Sequence, residues 1–137
     1  MTKMIKMVWT RFMDMHSGGG QKLDWPYIYI EAPEEEAKSV FYSRFDRNPD
    51  RVSCTCCGED YSITESKTLE EVTAFERGCK YDEKAKKYIE EPDTRYSFSS
   101  KHTPLKEYLK HVKVIYAKDI KPEERHKDVP EEGFVWQ

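Results

Sequence analysis

Tyr27-Ile28-Tyr29-Ile30-Glu31-Ala32-Pro33-Glu34-Glu35-Glu36 passes from one kind of secondary structure into another within a single short run. Tyrosine and isoleucine alternate over residues 27–30, which puts tyrosines on one face of a strand and isoleucines on the other. Pro33 suits the first position of a helix, and the three glutamates complement the positive end of its dipole. Ala37, Val40, Phe41 and Phe45 then recur at helical spacing and make one buried stripe. The helix is expected to stop near Asn48-Pro49, because the residue before a proline disfavours the helical region. A strand followed at once by an amphipathic helix sets the expectation of an α+β chain.

Toward the N-terminus, Met7 to Met15 reads as a strand. Met7, Trp9, Met13 and Met15 share one face with Arg11, and Val8, Thr10, Phe12 and Asp14 share the other. Apolar groups on both faces predict an interior strand or one covered by a helix. His16-Ser17-Gly18-Gly19-Gly20 is the loop that joins this strand to Tyr27–Ile30 in a hairpin. Toward the C-terminus, Arg51 to Cys54 is expected as a short strand entering the turn Cys54-Thr55-Cys56-Cys57-Gly58-Glu59-Asp60-Tyr61, with Tyr61-Ser62-Ile63 leaving it. Thr68-Leu69-Glu70-Glu71 has the form of a capping box. Val72 and Phe75 would face inward, and Gly78 would end that helix in the left-handed conformation. Cys79–Tyr81 and Lys87–Ile89 are expected as hairpin arms, and residues 90–101 as a polar excursion. Thr103-Pro104 opens a short helix carrying Leu105, Tyr108 and Leu109. Val112 to Ala117 is the last strand, Asp119 to Arg125 contains a single helical turn, and the apolar tail Val129 to Trp136 is expected to dock. The sum is one compact α+β domain over residues 1–137, with a mostly antiparallel sheet, two longer helices and one short helix.

Composition bounds the function. Hydrophobic residues make up 37% of the 137 and charged residues 36%, so the core is small and leans on its three Trp, nine Tyr and six Phe. A net charge of −3 argues against wholesale binding to nucleic acid or a membrane surface. No apolar run approaches the roughly 18 residues that span a bilayer. Met1 to Trp9 is broken by Lys3 and Lys6 and does not resemble a secretory signal. The expected compartment is a reducing cytoplasm, where clustered cysteines serve as thiols or metal ligands more often than as disulfides.

Two stretches carry candidate chemistry. Cys54-x-x-Cys57-Gly58 is half of a zinc-ribbon-like knuckle, whose spacing lets two thiolates face one tetrahedral ion. Cys79 is the expected third ligand, and His16, His102, His111 or Cys56 the fourth, with His16 favoured. The simpler alternative is a set of buried or free thiols, since cysteine packs as a small hydrophobe. A thiol nucleophile with His16 as base is the other catalytic option. His16-Ser17-Gly18-Gly19-Gly20-Gln21-Lys22 could cradle a phosphate with its amides and Lys22, though it is neither a Walker motif nor a dinucleotide fingerprint. Arg11, Trp25 and Tyr61 complete that candidate ligand site, with a plain glycine-rich hairpin loop as the simpler reading. Asp14, Glu31, Glu59 and Asp60 are candidate acids in a chain rich in acids. Trp9, Tyr27 and Tyr29 could stack on a ring, although at strand positions they serve a core more often.

Trp9-Thr10-Arg11, Asp14-x-His16-Ser17-Gly18-Gly19, Tyr27 through Glu34, and Cys54-x-Cys56-Cys57-Gly58-x-Asp60-Tyr61 together resemble a family of small phage-encoded proteins of unknown function. The segments 120–125 and 129–136, with Val129-Pro130-Glu131-Glu132-Gly133-Phe134-Val135-Trp136 at the end, are similar to it as well. The resemblance spans most of the chain except about residues 80–110. It implies a phage accessory protein acting inside a bacterial cell and assigns no catalytic residue. On that footing the expected function is non-enzymatic: binding a host protein, or sequestering a small nucleotide signal in a pocket at a homodimer interface, to modulate host machinery or defence. The competing class is a metal- or thiol-dependent hydrolase or transferase built on Cys54, Cys57 and His16. A zinc-ribbon nucleic-acid binder is disfavoured by the acidic balance.

Overall fold

A computed structural model describes residues 6–16, 20–52, 58–92 and 102–129. Its centre is a four-stranded sheet of β1 (Met7–Asp14), β2 (Tyr27–Pro33), β3 (Tyr61–Ser66) and β6 (Lys113–Ile115), in the order β3-β1-β2-β6. β1 pairs antiparallel with both β2 and β3, with Phe12 opposite Ile28 on one side and Ile63 on the other. β6 pairs parallel with β2, so the sheet is mixed but mostly antiparallel. A separate antiparallel hairpin joins β4 (Cys79–Asp82) to β5 (Lys87–Pro92).

The alternation of residues 27–30 sorts the two cores as expected. Phe12, Ile28, Ile30 and Ile115 meet Ala37, Val40 and Phe41 of α1 (Ala37–Phe45), together with Tyr61. Trp9 and Tyr29 on the opposite face meet Leu69 and Val72 of α2 (Leu69–Thr73) and Tyr108 of α3 (Leu105–Tyr108). Both faces of β1 and β2 are therefore covered, which is why their sequences are apolar on both sides. Within the second core the Tyr29 and Tyr108 hydroxyls lie 2.7 Å apart in a hydrogen bond.

A 3₁₀ turn over Glu34–Glu36 leads into α1, which ends at Asp46, three residues before Pro49 and earlier than the proline argument places it. Asp46 takes φ 52° and returns its amide to the Tyr42 carbonyl, a left-handed stop that aspartate tolerates. Arg44 pairs with Glu124 of α4 (Pro122–Arg125), and Ser39 donates to the carbonyls of Glu124 and Lys127, both at 2.8 Å. These bonds hold the C-terminal segment on α1.

The second long helix is shorter than its pattern suggests. Thr68 caps α2 by accepting the Glu71 amide at 3.1 Å, as the capping-box spacing predicts. After Thr73 the backbone tightens, the Ala74 amide bonding three residues back to Glu71. That tightening turns Phe75 outward: it is 73% exposed, not inward-facing as its helical spacing implies. The tail from residue 130 and the stretch 53–57 lie outside the described residues.

Candidate metal centre

The end of α2 builds the first half of the site. The Cys79 amide bonds to the Ala74 carbonyl (3.0 Å) and the Gly78 amide to the Phe75 carbonyl (3.1 Å), with Gly78 at φ 75°. These two bonds are the Schellman closure expected of a glycine just past a helix. Its consequence is to place Arg77 at the cap and Cys79 just beyond it, both turned into the protein.

Two further segments converge on them. In the β4–β5 hairpin Lys80 faces Ile89, but Cys79 faces Pro92, so the register slips between Cys79 and Lys80. The slip leaves Glu90 in a bulge, the kind of irregularity that re-aims a side chain. The chain before α3 is tied to Arg77 twice, since the Thr103 amide donates to the Arg77 carbonyl (2.8 Å) and Arg77 Nη1 donates to the Thr103 carbonyl (3.4 Å). His102 is thereby brought beside Cys79 and Glu90.

Arg77 is fully buried, and its guanidinium is committed. It donates in a fork to both oxygens of Glu90 (2.7 and 2.5 Å), to Thr73 Oγ1 (2.9 Å) and to the Glu70 carbonyl (3.1 Å). Glu90 Oε2 also meets His102 Nε2 at 3.0 Å and accepts from Cys79 Sγ at 3.9 Å. The Arg77 hydrogen bonds, helped by His102, pull the Glu90 carboxyl down to about 2. Burial pushes the Cys79 thiol above its ordinary value, against the opposing pull of Arg77. A thiol held protonated is a poor free nucleophile. A metal ion would reverse that by displacing the proton.

Cys79, Glu90 and His102 each bring one ligand atom within 4.8 Å of the others. Metal–ligand bonds of about 2.0–2.3 Å in a tetrahedron put neighbouring ligand atoms about 3.4–3.6 Å apart. The observed 3.0 Å and 3.9 Å straddle that separation and the Cys79–His102 pair lies within 4.8 Å, so modest side-chain shifts would fit an ion. Arg77 would then keep its grip on Glu90 and hold the carboxylate in place.

Among the described residues, the expected ligand Cys79 is in this cluster together with His102, one of the alternatives weighed for the fourth position. Glu90 was not foreseen. Cys54, Cys56 and Cys57 lie outside the described residues, as do Ser17, Gly18 and Gly19 of the glycine loop. His16 is exposed and belongs to no chelating group among the described residues. Its amide donates to Asp14 Oδ1 (2.7 Å) and the Lys22 amide to Asp14 Oδ2 (2.6 Å), so these loop amides face the chain's own carboxylate. Lys22 Nζ donates to the carbonyl of Gly20, which is itself exposed. Arg11 pairs with Glu76, Trp25 packs on Phe45, and Tyr61 is fully buried against Phe41.

The class defined by fold and site is a small mixed-sheet α+β domain carrying a cysteine–glutamate–histidine cluster able to chelate a metal ion. Among the described residues no helix is long and apolar enough to cross a membrane. Comparison with protein-family models, with curated proteins and with solved structures finds no match for the chain.

Proposed function

We propose that the chain binds zinc through Cys79, Glu90 and His102 and uses the remaining coordination position to activate water for hydrolysis of a small substrate. The observation that carries this reading is the convergence of three different ligand atoms within 4.8 Å, from three separate chain segments. Thiolate, imidazole and carboxylate together suit zinc better than calcium or magnesium, which prefer oxygen alone. Three protein ligands with an open fourth position is the pattern of catalytic zinc, whereas structural zinc is closed by four. Glu90 is half exposed, which gives water and substrate a way in. The committed guanidinium of Arg77 supports a positioning role for that residue.

Zinc titration followed by calorimetry tests the reading, with a panel of activated carboxylic and phosphate esters assayed on the zinc-loaded chain. One zinc per chain is expected, with binding lost in His102→Ala and Cys79→Ser. Zinc retained by those variants and lost in Cys57→Ser would move the site to the Cys54 turn. Zinc binding without turnover would leave a metal site and remove the enzyme.

A second reading is favoured by Phe75, whose exposed ring immediately precedes the cluster. Exposed aromatic rings are common anchors in protein interfaces. On this reading the chain is a non-enzymatic phage accessory protein acting in the bacterial cytoplasm, as its sequence resemblance implies, and Phe75 anchors a host protein. Phe75→Ala would then abolish host modulation while leaving zinc binding intact.

A further inference from the structure

The β4–β5 hairpin supplies Cys79 and Glu90, and it carries a pair of tyrosines beside them. Tyr81 of β4 and Tyr88 of β5 stand directly opposite one another in the register. Their rings pack edge to face, with centroids 5.1 Å apart and planes at 67°. Side chains two residues apart on a strand project on the same side. Cys79 lies two residues before Tyr81 and so shares its side of the hairpin. Glu90 follows Tyr88 by two residues and reaches Cys79 Sγ at 3.9 Å despite the bulge, so it is on that side as well.

Two residues of strand span about 6–7 Å, which sets the separation of the tyrosine pair from the cluster. A ring attached directly to a carbonyl held at the metal reaches about that far. Both tyrosines are only partly buried, and among the described residues neither packs against the two cores of the domain. In an edge-to-face pair each ring keeps at least one face outside the pair, open to a further aromatic contact. A cross-strand aromatic pair stabilises a hairpin at any position along it. Here it stands next to the ligand atoms.

We propose that Tyr81 and Tyr88 recognise an aromatic ring on the acyl side of the substrate, so that the site hydrolyses esters of aromatic carboxylic acids. The proposal rests on the zinc reading of Cys79, Glu90 and His102. With the ester carbonyl carbon against the zinc-bound water, the ring attached to it lies along the hairpin over the tyrosines. Water adds to that carbon, the bond from it to the ester oxygen breaks, and the departing oxygen leaves as an alcohol with a proton from the water. A short alkyl acyl group makes the same approach to the metal but no contact with the rings.

The test compares benzohydroxamate with acetohydroxamate, which chelate zinc through the same oxygens and differ in the ring. Each is titrated by calorimetry into the full chain, after a separate titration has established its zinc content. On the zinc-loaded chain benzohydroxamate should bind about two- to tenfold tighter, the range of one aromatic pair. Tyr88→Leu, which keeps an apolar side chain without a ring, should remove most of that advantage with zinc affinity unchanged, and Tyr88→Phe should restore it. Circular dichroism checks that the hairpin variants remain folded, and the wild-type comparison stands without them. Zinc that fails to bind overturns the zinc reading and this proposal together. Zinc that binds while the two hydroxamates bind alike, or while neither binds, overturns this proposal alone. An advantage that survives in the Tyr81→Leu, Tyr88→Leu double variant overturns it by placing the ring elsewhere.

Discussion

Replacing Arg77 with methionine removes the group on which the cysteine–glutamate–histidine cluster hangs, and the cost can be worked from its contacts. The side chain is wholly buried and ties together α2, β5 and the segment before α3. Its strongest partner, Glu90, is 55% exposed and regains water when the fork is lost, so that pair is discounted to about 1 kcal/mol. The Thr73 hydroxyl and the Glu70 and Thr103 carbonyls each lose a donor, together worth about 2 kcal/mol. The expected loss is about 3 kcal/mol. Urea unfolding followed by fluorescence should then show a midpoint lower by about 1–3 M, given a slope of about 1–3 kcal/mol per molar. Arg77→Lys keeps the charge but cannot reproduce the fork, and should recover less than half of the loss. Unchanged stability in Arg77→Met, or full rescue by lysine, would refute the idea that this guanidinium organises the cluster.

Three other outcomes follow from the same geometry. Because burial holds the Cys79 thiol protonated, zinc binding should release a proton and tighten about tenfold per pH unit below the thiol's own titration, read as buffer-dependent heat in calorimetry. Glu90 titrates near 2 in the folded chain against an ordinary 4.5, so its contribution to stability is present above 4.5 and lost as pH falls toward 2. Glu90→Gln should flatten that part of an acid-unfolding curve, by a small amount because the group faces solvent. Gly78→Ala forces a β-carbon onto a residue at φ 75° and should cost about 1–2 kcal/mol in urea unfolding while loosening zinc binding.

Much of the fold was legible where a local pattern had one physical meaning. Alternation over residues 27–30 sorted Tyr29 from Ile28 and Ile30 into opposite cores, and Thr68 and Gly78 marked the start and end of the second helical segment. Phe75 was misjudged because helical spacing assumes that the α geometry persists, and the backbone tightens before that residue. The parallel pairing of β6 with β2 joins segments about eighty residues apart in sequence, and no local pattern announces it.

The site was half legible. Cys79 and His102 stood among the candidates, but a nearby CxxC spacing drew Cys79 toward the Cys54 turn. Glu90 was hidden in a charge-rich run, and its placement depends on a register slip that no residue type signals. One trace existed: a glycine that ends a helix just before a cysteine fixes where that cysteine points. Nothing in the sequence ties Thr103 to Arg77, the contact that delivers His102.

Cobalt substitution offers the sharpest trial of the metal centre, because cobalt reports both thiolate ligation and tetrahedral geometry in its absorption spectrum. The full chain should develop a sulfur-to-cobalt charge-transfer band at one equivalent. That band should survive in Cys54→Ser, Cys56→Ser, Cys57→Ser and vanish in Cys79→Ser. A band that persists without Cys79, or never forms in the wild-type chain, would contradict a metal site at Cys79, Glu90 and His102.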